Sequence, residues 1–348
     1  MAESPPASSV PKAVLYYARD STESCVARLT LIEKGYGDDE VDLKIVDLAK
    51  GENYSPSYLR LNPKATVPTL IVPLAKTLSS DVDSRFKAIV DIRKLVEFLD
   101  KSRSPMSTTN TTSSAPAPAL APATVAFSSL SRMILDEIVY TEDASPDNLT
   151  YANARDEASL KTTAKGLVPV LQGRKAALEK YLADAQSETY HASEKTKAFW
   201  QAKLLATNVL LDILLKAETP SADLDANSRA KREEFLKTAE NLWSKSVANL
   251  LTRLDKEITG PLSGGDQLSI ADLHIAGWLA TLVRLAGGTN ALDGKAAVSK
   301  LEQHVGGDFT LPKELKTGED ETISKLAAFW DSMRERASWK KVYGDGLV

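Results

Sequence analysis

The stretch Asn62-Pro63-Lys64-Ala65-Thr66-Val67-Pro68-Thr69-Leu70-Ile71-Val72 constrains this chain more than any other. A proline cannot donate a backbone hydrogen bond, so Pro68 belongs at the entrance of the short apolar strand that follows it. The bond before a proline can adopt the cis form at modest cost. A cis bond there would turn the N–H and C=O of Val67 toward a cleft, where an extended peptide could pair with both as an added strand does. The plain alternative is a proline that only opens a strand. Spacing alone does not separate the two.

The flanks narrow the choice. Residues 13–17 are a short apolar strand, and residues 21–34 have helical apolar spacing, with Gly35 as a natural stop. Residues 41–46 alternate, with Val41, Leu43 and Ile45 on one face of a half-buried strand. Residues 48–61 form a short, loose, Tyr-rich helix. Two strands follow at 69–72 and 86–90, joined by more chain than a tight hairpin needs, and then a helix at 94–101. A βαβ unit followed by a ββα unit is an α/β sandwich.

Composition bounds the rest. With 348 residues, 43% of them apolar, the chain is long for one domain and comfortable for two. The net charge of −4 is spread over interspersed acids and bases, which argues against nucleic acid and against a polybasic membrane patch. The single cysteine, Cys25, excludes an intramolecular disulfide. No run approaches the roughly 18 apolar residues of a membrane span, and the first residues show no signal pattern. The expectation is a soluble cytoplasmic protein. His191, His274 and His304 are too widely spaced to suggest a metal site, and no phosphate-binding glycine motif occurs.

The expected organisation is a disordered tail at 1–12, an α/β domain at 13–101, a Pro/Ser/Thr/Ala-rich linker at 102–124 and an all-α domain at 125–348. The linker composition offers little apolar area to bury. Helices are expected at 127–139, at 154–183 with interruption by Gly166 and Pro169, and at 188–216, 227–257, 268–285 and 322–336. Residues 140–150 read as a polar turn region.

The order of these elements, with Asn-Pro-x-x-x-Val-Pro-x-Leu at 62–70 and Ser269-Ile-Ala-Asp272 opening a helix, resembles the cytosolic glutathione transferases. The resemblance implies a thioredoxin-like N-terminal domain that binds glutathione and an all-helical C-terminal domain. The extra helical stretch at about 147–216 and the ending at 337–343 are similar to the ganglioside-induced differentiation-associated, mitochondrial branch. They resemble uncharacterised fungal transferase-like proteins more closely still.

In this family a hydroxyl at the start of the first helix holds the glutathione thiolate, because a free thiol with a pKa near 8.5 is mostly protonated at neutral pH. Ser21, Thr22 and Ser24 compete for that role, and Ser21 best matches the family motif. All three also suit plain helix capping. Cys25, one turn further on, reads as a buried structural thiol. The resemblance assigns Val67 and Pro68 to the peptide backbone of glutathione, and Asp91 to its γ-glutamyl amine. At the next position the family has serine and this chain has Ile92. Losing that charge-assisted bond costs about 1.5–3 kcal/mol, or one to two decades of affinity. Phe127, Leu130 and Ile134 are expected to line a pocket for a small apolar electrophile, and Ser269 and Asp272 to form a structural cap. The family usually dimerises, so a homodimer is expected. The alternative reading is a non-catalytic module on the same fold that binds a ligand or a protein.

Overall fold

The computed structural model describes residues 11–74, 85–104, 111–186, 191–316 and 322–347. The expected tail at 1–12 therefore lies almost wholly outside the described residues. The chain divides into two compact units. One comprises Met1–Lys44, Pro68–Asn148 and Trp243–Val348, the other Ile45–Val67 and Leu149–Leu242.

The first unit is built on a four-stranded sheet of β1 (Ala13–Tyr17), β2 (Val41–Ile45), β3 (Thr69–Pro73) and β4 (Phe86–Ile89) in the order β2-β1-β3-β4. β3 runs antiparallel to β1, with Leu15 opposite Leu70, and antiparallel to β4, with Ile71 opposite Ala88. The central strands carry the buried side chains Leu15, Leu70, Ile71 and Val72, as their apolar runs require. β2 departs from expectation. Val41 is buried, but Leu43 and Ile45 are 51% and 53% exposed. Alternation sorts side chains onto two faces without saying whether either face is covered, and β2 is an edge strand.

Helix α1 (Thr22–Glu33) packs against α3 (Ile92–Ser102), α10 (Ile270–Leu285) and α13 (Ala337–Tyr343). Gly35, at φ +68°, ends α1 in the left-handed region that favours glycine. α10 is buried almost all round, from Ala271 to Val283, as its uniformly apolar sequence demands. Its Gly277 lets the helices meet, since a Cβ there would lie 2.6 Å from Val26 Cγ2. α4 (Val125–Ile134) continues as one π-helical turn over Leu135–Val139. α9 (Ala248–Glu257), α11 (Gly294–Val305) and α12 (Lys325–Glu335) complete this unit, and the sequence reading missed α11 and α13 as helices.

Two corrections concern chain that reads as slack. Where it is described, the expected linker at 102–124 is fastened down. Arg103 is buried and pairs with Glu40, Ser113 donates its hydroxyl to the Gly35 carbonyl at 2.8 Å, and Leu120 is 1% exposed. Lys34 and Asp100, both buried, pair at 2.9 Å. The Lys34 ammonium also donates to the Pro118 carbonyl at 2.6 Å, and the Asp100 carboxylate accepts the Leu120 N–H at 2.9 Å. Side chains far away in sequence supply these partners, so composition within the segment does not reveal them. The expected helix start at 322 is also displaced: Thr322–Ile323 pairs as a strand with Leu315–Lys316, and α12 begins at Lys325.

The second unit is mostly helical: α2 (Pro56–Leu61), the end of α5 (Pro146–Tyr151), which begins within the expected polar turn, α6 (Glu157–Asp184), α7 (Glu194–Leu214) and α8 (Ala226–Asn241). α6 is one unbroken helix of 28 residues that contains Pro169. Gly166 and Pro169 are exposed, while Leu160, Ala164 and Leu171 bury the opposite side. Packing of that side outweighs the local cost of the proline, and the carbonyl that loses its donor belongs to Lys165, an exposed residue. A second cluster joins Trp200 and Leu178 to Tyr54 and Ala65, and the Trp200 indole donates to the Tyr54 carbonyl at 2.9 Å.

Candidate functional site

The start of α1 sorts the three competing hydroxyls by their partners. Ser24 is fully buried and its oxygen accepts the Ala18 N–H at 3.2 Å, so it ties down the turn before the helix. Thr22 lies 2.6 Å from the Thr281 hydroxyl. Thr281 gives its own proton to the Gly277 carbonyl at 3.2 Å, which makes Thr22 the donor in that pair. Ser21 is the N-cap, half-buried, and its oxygen accepts the Ser24 N–H at 3.3 Å. Accepting leaves the Ser21 hydroxyl proton for another acceptor. Cys25 is fully buried, and burial pushes its thiol up to about 11, with Arg28 and a hydrogen bond to Tyr343 opposing. It stays protonated.

Asp91 is the N-cap of α3 and accepts the Lys94 N–H at 3.0 Å, with its carboxylate exposed. Ile92, at the next position, is 6% exposed. Its side chain belongs to the core and presents nothing to a ligand.

Around Asp91 lies a charged cluster that the sequence reading missed. Glu23, half-buried in the first turn of α1, is pushed up to about 7 by burial and then by the carboxylates of Asp147 and Asp91. Arg93 lies over the Tyr140 ring at 4.8 Å and pairs with Asp136. The Tyr140 hydroxyl is 2.6 Å from His274 Nδ1. His274 is buried, and burial first, then the Arg93 charge, pushes it down to about 3, so it is neutral. Nothing in the spacing of Glu23, Asp91, Tyr140 and His274 joins them; four separate elements bring them together.

In the second unit, the turn leading to Val67 is held by three side chains. Asn53 donates to the Ala65 carbonyl at 2.8 Å, and Tyr58 and Asn62 donate to the Thr66 carbonyl at 2.7 and 2.8 Å. Ala65 adopts φ 56°, a left-handed conformation disfavoured for alanine, which these bonds sustain. Val67 and Pro68 are both buried, and Val67 has no hydrogen-bond partner on its N–H or C=O among the described residues. Asn62 was the one member of this turn marked by its motif. Asn53 and Tyr58 carried no signal beyond the Tyr-rich composition.

The expected electrophile residues diverge. Phe127 is 40% exposed and approaches Gly264, Leu130 is half-buried, and Ile134 is fully buried and offers no side-chain surface. The Asp272 carboxylate accepts the Ser269 N–H and hydroxyl, both at 2.7 Å, and the Ser263 N–H at 2.7 Å.

Comparison with known proteins adds a family match over part of the chain. Residues 15–104 match the model of the glutathione S-transferase N-terminal domain. With the sheet order described above, this region is a thioredoxin-like domain, and a largely helical region follows it. Among solved structures, the theta class glutathione S-transferase of Xanthomonas axonopodis pv. citri, with glutathione bound, is 15% identical, with a TM-score of 0.45 over 95% of this chain and 97% of that one. A glutathione S-transferase of the Antarctic clam Laternula elliptica is 12% identical, with a TM-score of 0.44 over 95% and 92%. One from Methylobacillus flagellatus, with glutathione bound, is 16% identical, with a TM-score of 0.40 over 95% and 98%. At such identities and TM-scores these likenesses carry no weight for function. Among the described residues, no helix is long and apolar enough to cross a membrane.

Proposed function

We propose, for a chain whose residues 15–104 form a glutathione S-transferase N-terminal domain, that it binds glutathione and directs its thiolate at a small electrophile. Ser21 holds the thiolate, the tripeptide backbone runs beside Pro68, and Asp91 takes the γ-glutamyl amine. The observation that carries this reading is the partition at the start of α1. Thr22 and Ser24 are committed to protein partners, while Ser21 keeps a proton to donate. A hydroxyl donor at the positive end of a helix favours the charged form of a thiol. The electrophile has a mainly apolar body, received near Phe127 and Leu130. The helical insertion supports a divergent branch of the superfamily, similar to the ganglioside-induced differentiation-associated one.

A second reading, a binding module without turnover, rests on Ile92. Its side chain is turned into the core, so position 92 supplies no side-chain donor for the glutathione carboxylate. One experiment separates the two. Glutathione is titrated calorimetrically into the wild type and Ser21→Ala, and the ultraviolet thiolate band of the bound ligand is followed against pH. Under the enzyme reading both proteins bind, and Ser21→Ala raises the pKa of the bound thiol by about one to two units, the worth of one hydrogen bond to a charged group. Binding with the same thiol pKa in both proteins favours the module. No binding by the wild type sinks the glutathione reading.

A further inference from the structure

Helix α7 buries Trp200, Thr207, Leu211 and Leu214 on one side. On the opposite side Lys195, Ala198, Ala202, Leu205, Val209 and Asp212 recur at alternating spacings of three and four residues, the period of a coiled-coil seam. The four residues between the charged ends are exposed, Leu205 at 67% and Val209 at 57%. The outward face of a surface helix ordinarily carries charge. From Ala198 to Val209 the one charged residue is Lys203, which stands off the row with its ammonium over the Phe199 ring at 5.6 Å. Beside the row, α7 and α8 leave an open groove of about 460 Å³, lined by Val209, Ile213 and Phe235 and edged by Asp212 and Glu234.

The ends of the row say what fits it. Lys195 is exposed, and among the described residues no ion pair engages it. At the other end Asp212 is shared by Lys216 and Lys231 of its own chain, at 2.7 and 3.0 Å. Glu234, on the same groove, is exposed and no ion pair engages it among the described residues. A second α7 laid antiparallel matches the row in every layer. Ala198 meets Val209, Ala202 meets Leu205, and Lys195 meets the end that holds Asp212 and Glu234. Each alanine faces a larger side chain, which lets the helices close without a gap. A parallel pair would instead set Lys195 against Lys195 and Leu205 against Leu205. In the antiparallel register a twofold axis crosses the row midway between Ala202 and Leu205, so every contact occurs twice, as an isologous interface requires.

We propose that the outer face of α7 is a self-recognition surface, through which two copies of this chain pair antiparallel in that register, Lys195 of each meeting Glu234 of the other. The proposal is independent of the glutathione reading. The seam from Lys195 to Asp212 is about 26 Å long, and a single helix crossing of that length makes a small interface, suited to a dimer that forms and parts reversibly.

The whole chain is followed by sedimentation velocity across a concentration series up to about 100 μM, which brackets the association expected of a small interface. The wild type should associate with a dissociation constant on the order of micromolar. Leu205→Lys changes an exposed side chain and should leave the melting temperature of the monomer intact. It should raise the dissociation constant about a hundredfold, because it sets two ammonium groups into the seam. Lys195→Glu and Glu234→Lys should each weaken association about tenfold, and the double variant should recover the wild-type constant. A folding defect is not mended by a second charge reversal, so that recovery reports the contact itself. A wild type that stays monomeric at the highest concentration overturns the proposal and leaves the face to a different protein. A dimer unmoved by Leu205→Lys overturns it too, since the contact then lies elsewhere. A double variant no tighter than either single change refutes the antiparallel register. Should the wild type be a tetramer, Leu205→Lys is expected to leave a dimer, which supports α7 as one of two interfaces.

Discussion

Glu23 and His274 titrate in opposite senses, and their pKa values fix the pH windows. Glu23 is raised to about 7 in the folded state from 4.5. The folded protein holds that proton more tightly, so stability falls as pH rises from about 4.5 to about 7. His274 is lowered to about 3 from 6.5. The unfolded chain takes up that proton first, so stability is complete above 6.5 and falls as pH drops toward 3. The two slopes oppose each other between 4.5 and 6.5. Glu23→Gln should therefore raise the melting temperature at pH 8 relative to wild type and steepen its rise between pH 5 and 6.5. A melting profile parallel to wild type across that range would refute the assignment. At this scale the sequence was partly legible. Ser21 was singled out by its place before the helix, yet so were Thr22 and Ser24, because a helix start specifies a kind of side chain and not its partner. Thr22 was resolved only by Thr281, on another helix.

At the scale of elements, α6 is the clearest departure. Gly166 and Pro169 are local signals of a break, whereas the buried row Leu160, Ala164 and Leu171 carries the helix through them. Pro169→Ala should restore the missing hydrogen bond and remove the ring clash. It should gain about 1–3 kcal/mol, with slower amide exchange within 157–184. Unchanged exchange there would mean that the helix had already relaxed around the ring. Periodicity revealed the existence of the long helices and most strands. It missed α11, whose first residue, Gly294, reads as punctuation, and α13, whose seven residues are too few to show a period. It also grouped Leu43 and Ile45 with Val41 on one face, yet only Val41 is buried there, since pattern reports sidedness and not burial.

For the whole molecule, the buried pair Lys34–Asp100 fastens the segment around Leu120 to the ends of α1 and α3. Asp100→Asn leaves the ammonium buried without a counter-charge. It should cost about 3–5 kcal/mol and open residues 111–121 to proteolysis. Cleavage no faster than in wild type would show that Arg103 and Glu40 suffice to hold it. The boundaries expected at 101 and 125 mark changes in composition, but the compact units divide elsewhere. Residues 45–67 belong with 149–242, because Tyr54 and Ala65 share a core with Leu178 and Trp200. Composition could not show this, since each half of that core lacks only what the other half supplies.

The bond from the Trp200 indole to the Tyr54 carbonyl makes one stretch of chain the footing of another. Residues 45–67 and 149–242 share a core, so the segment running up to Val67 rests on helices far away in sequence. Excising 149–242 would strip Tyr54 and Ala65 of that core and slacken the turn that Asn53, Tyr58 and Asn62 hold. Neither stretch can be edited alone.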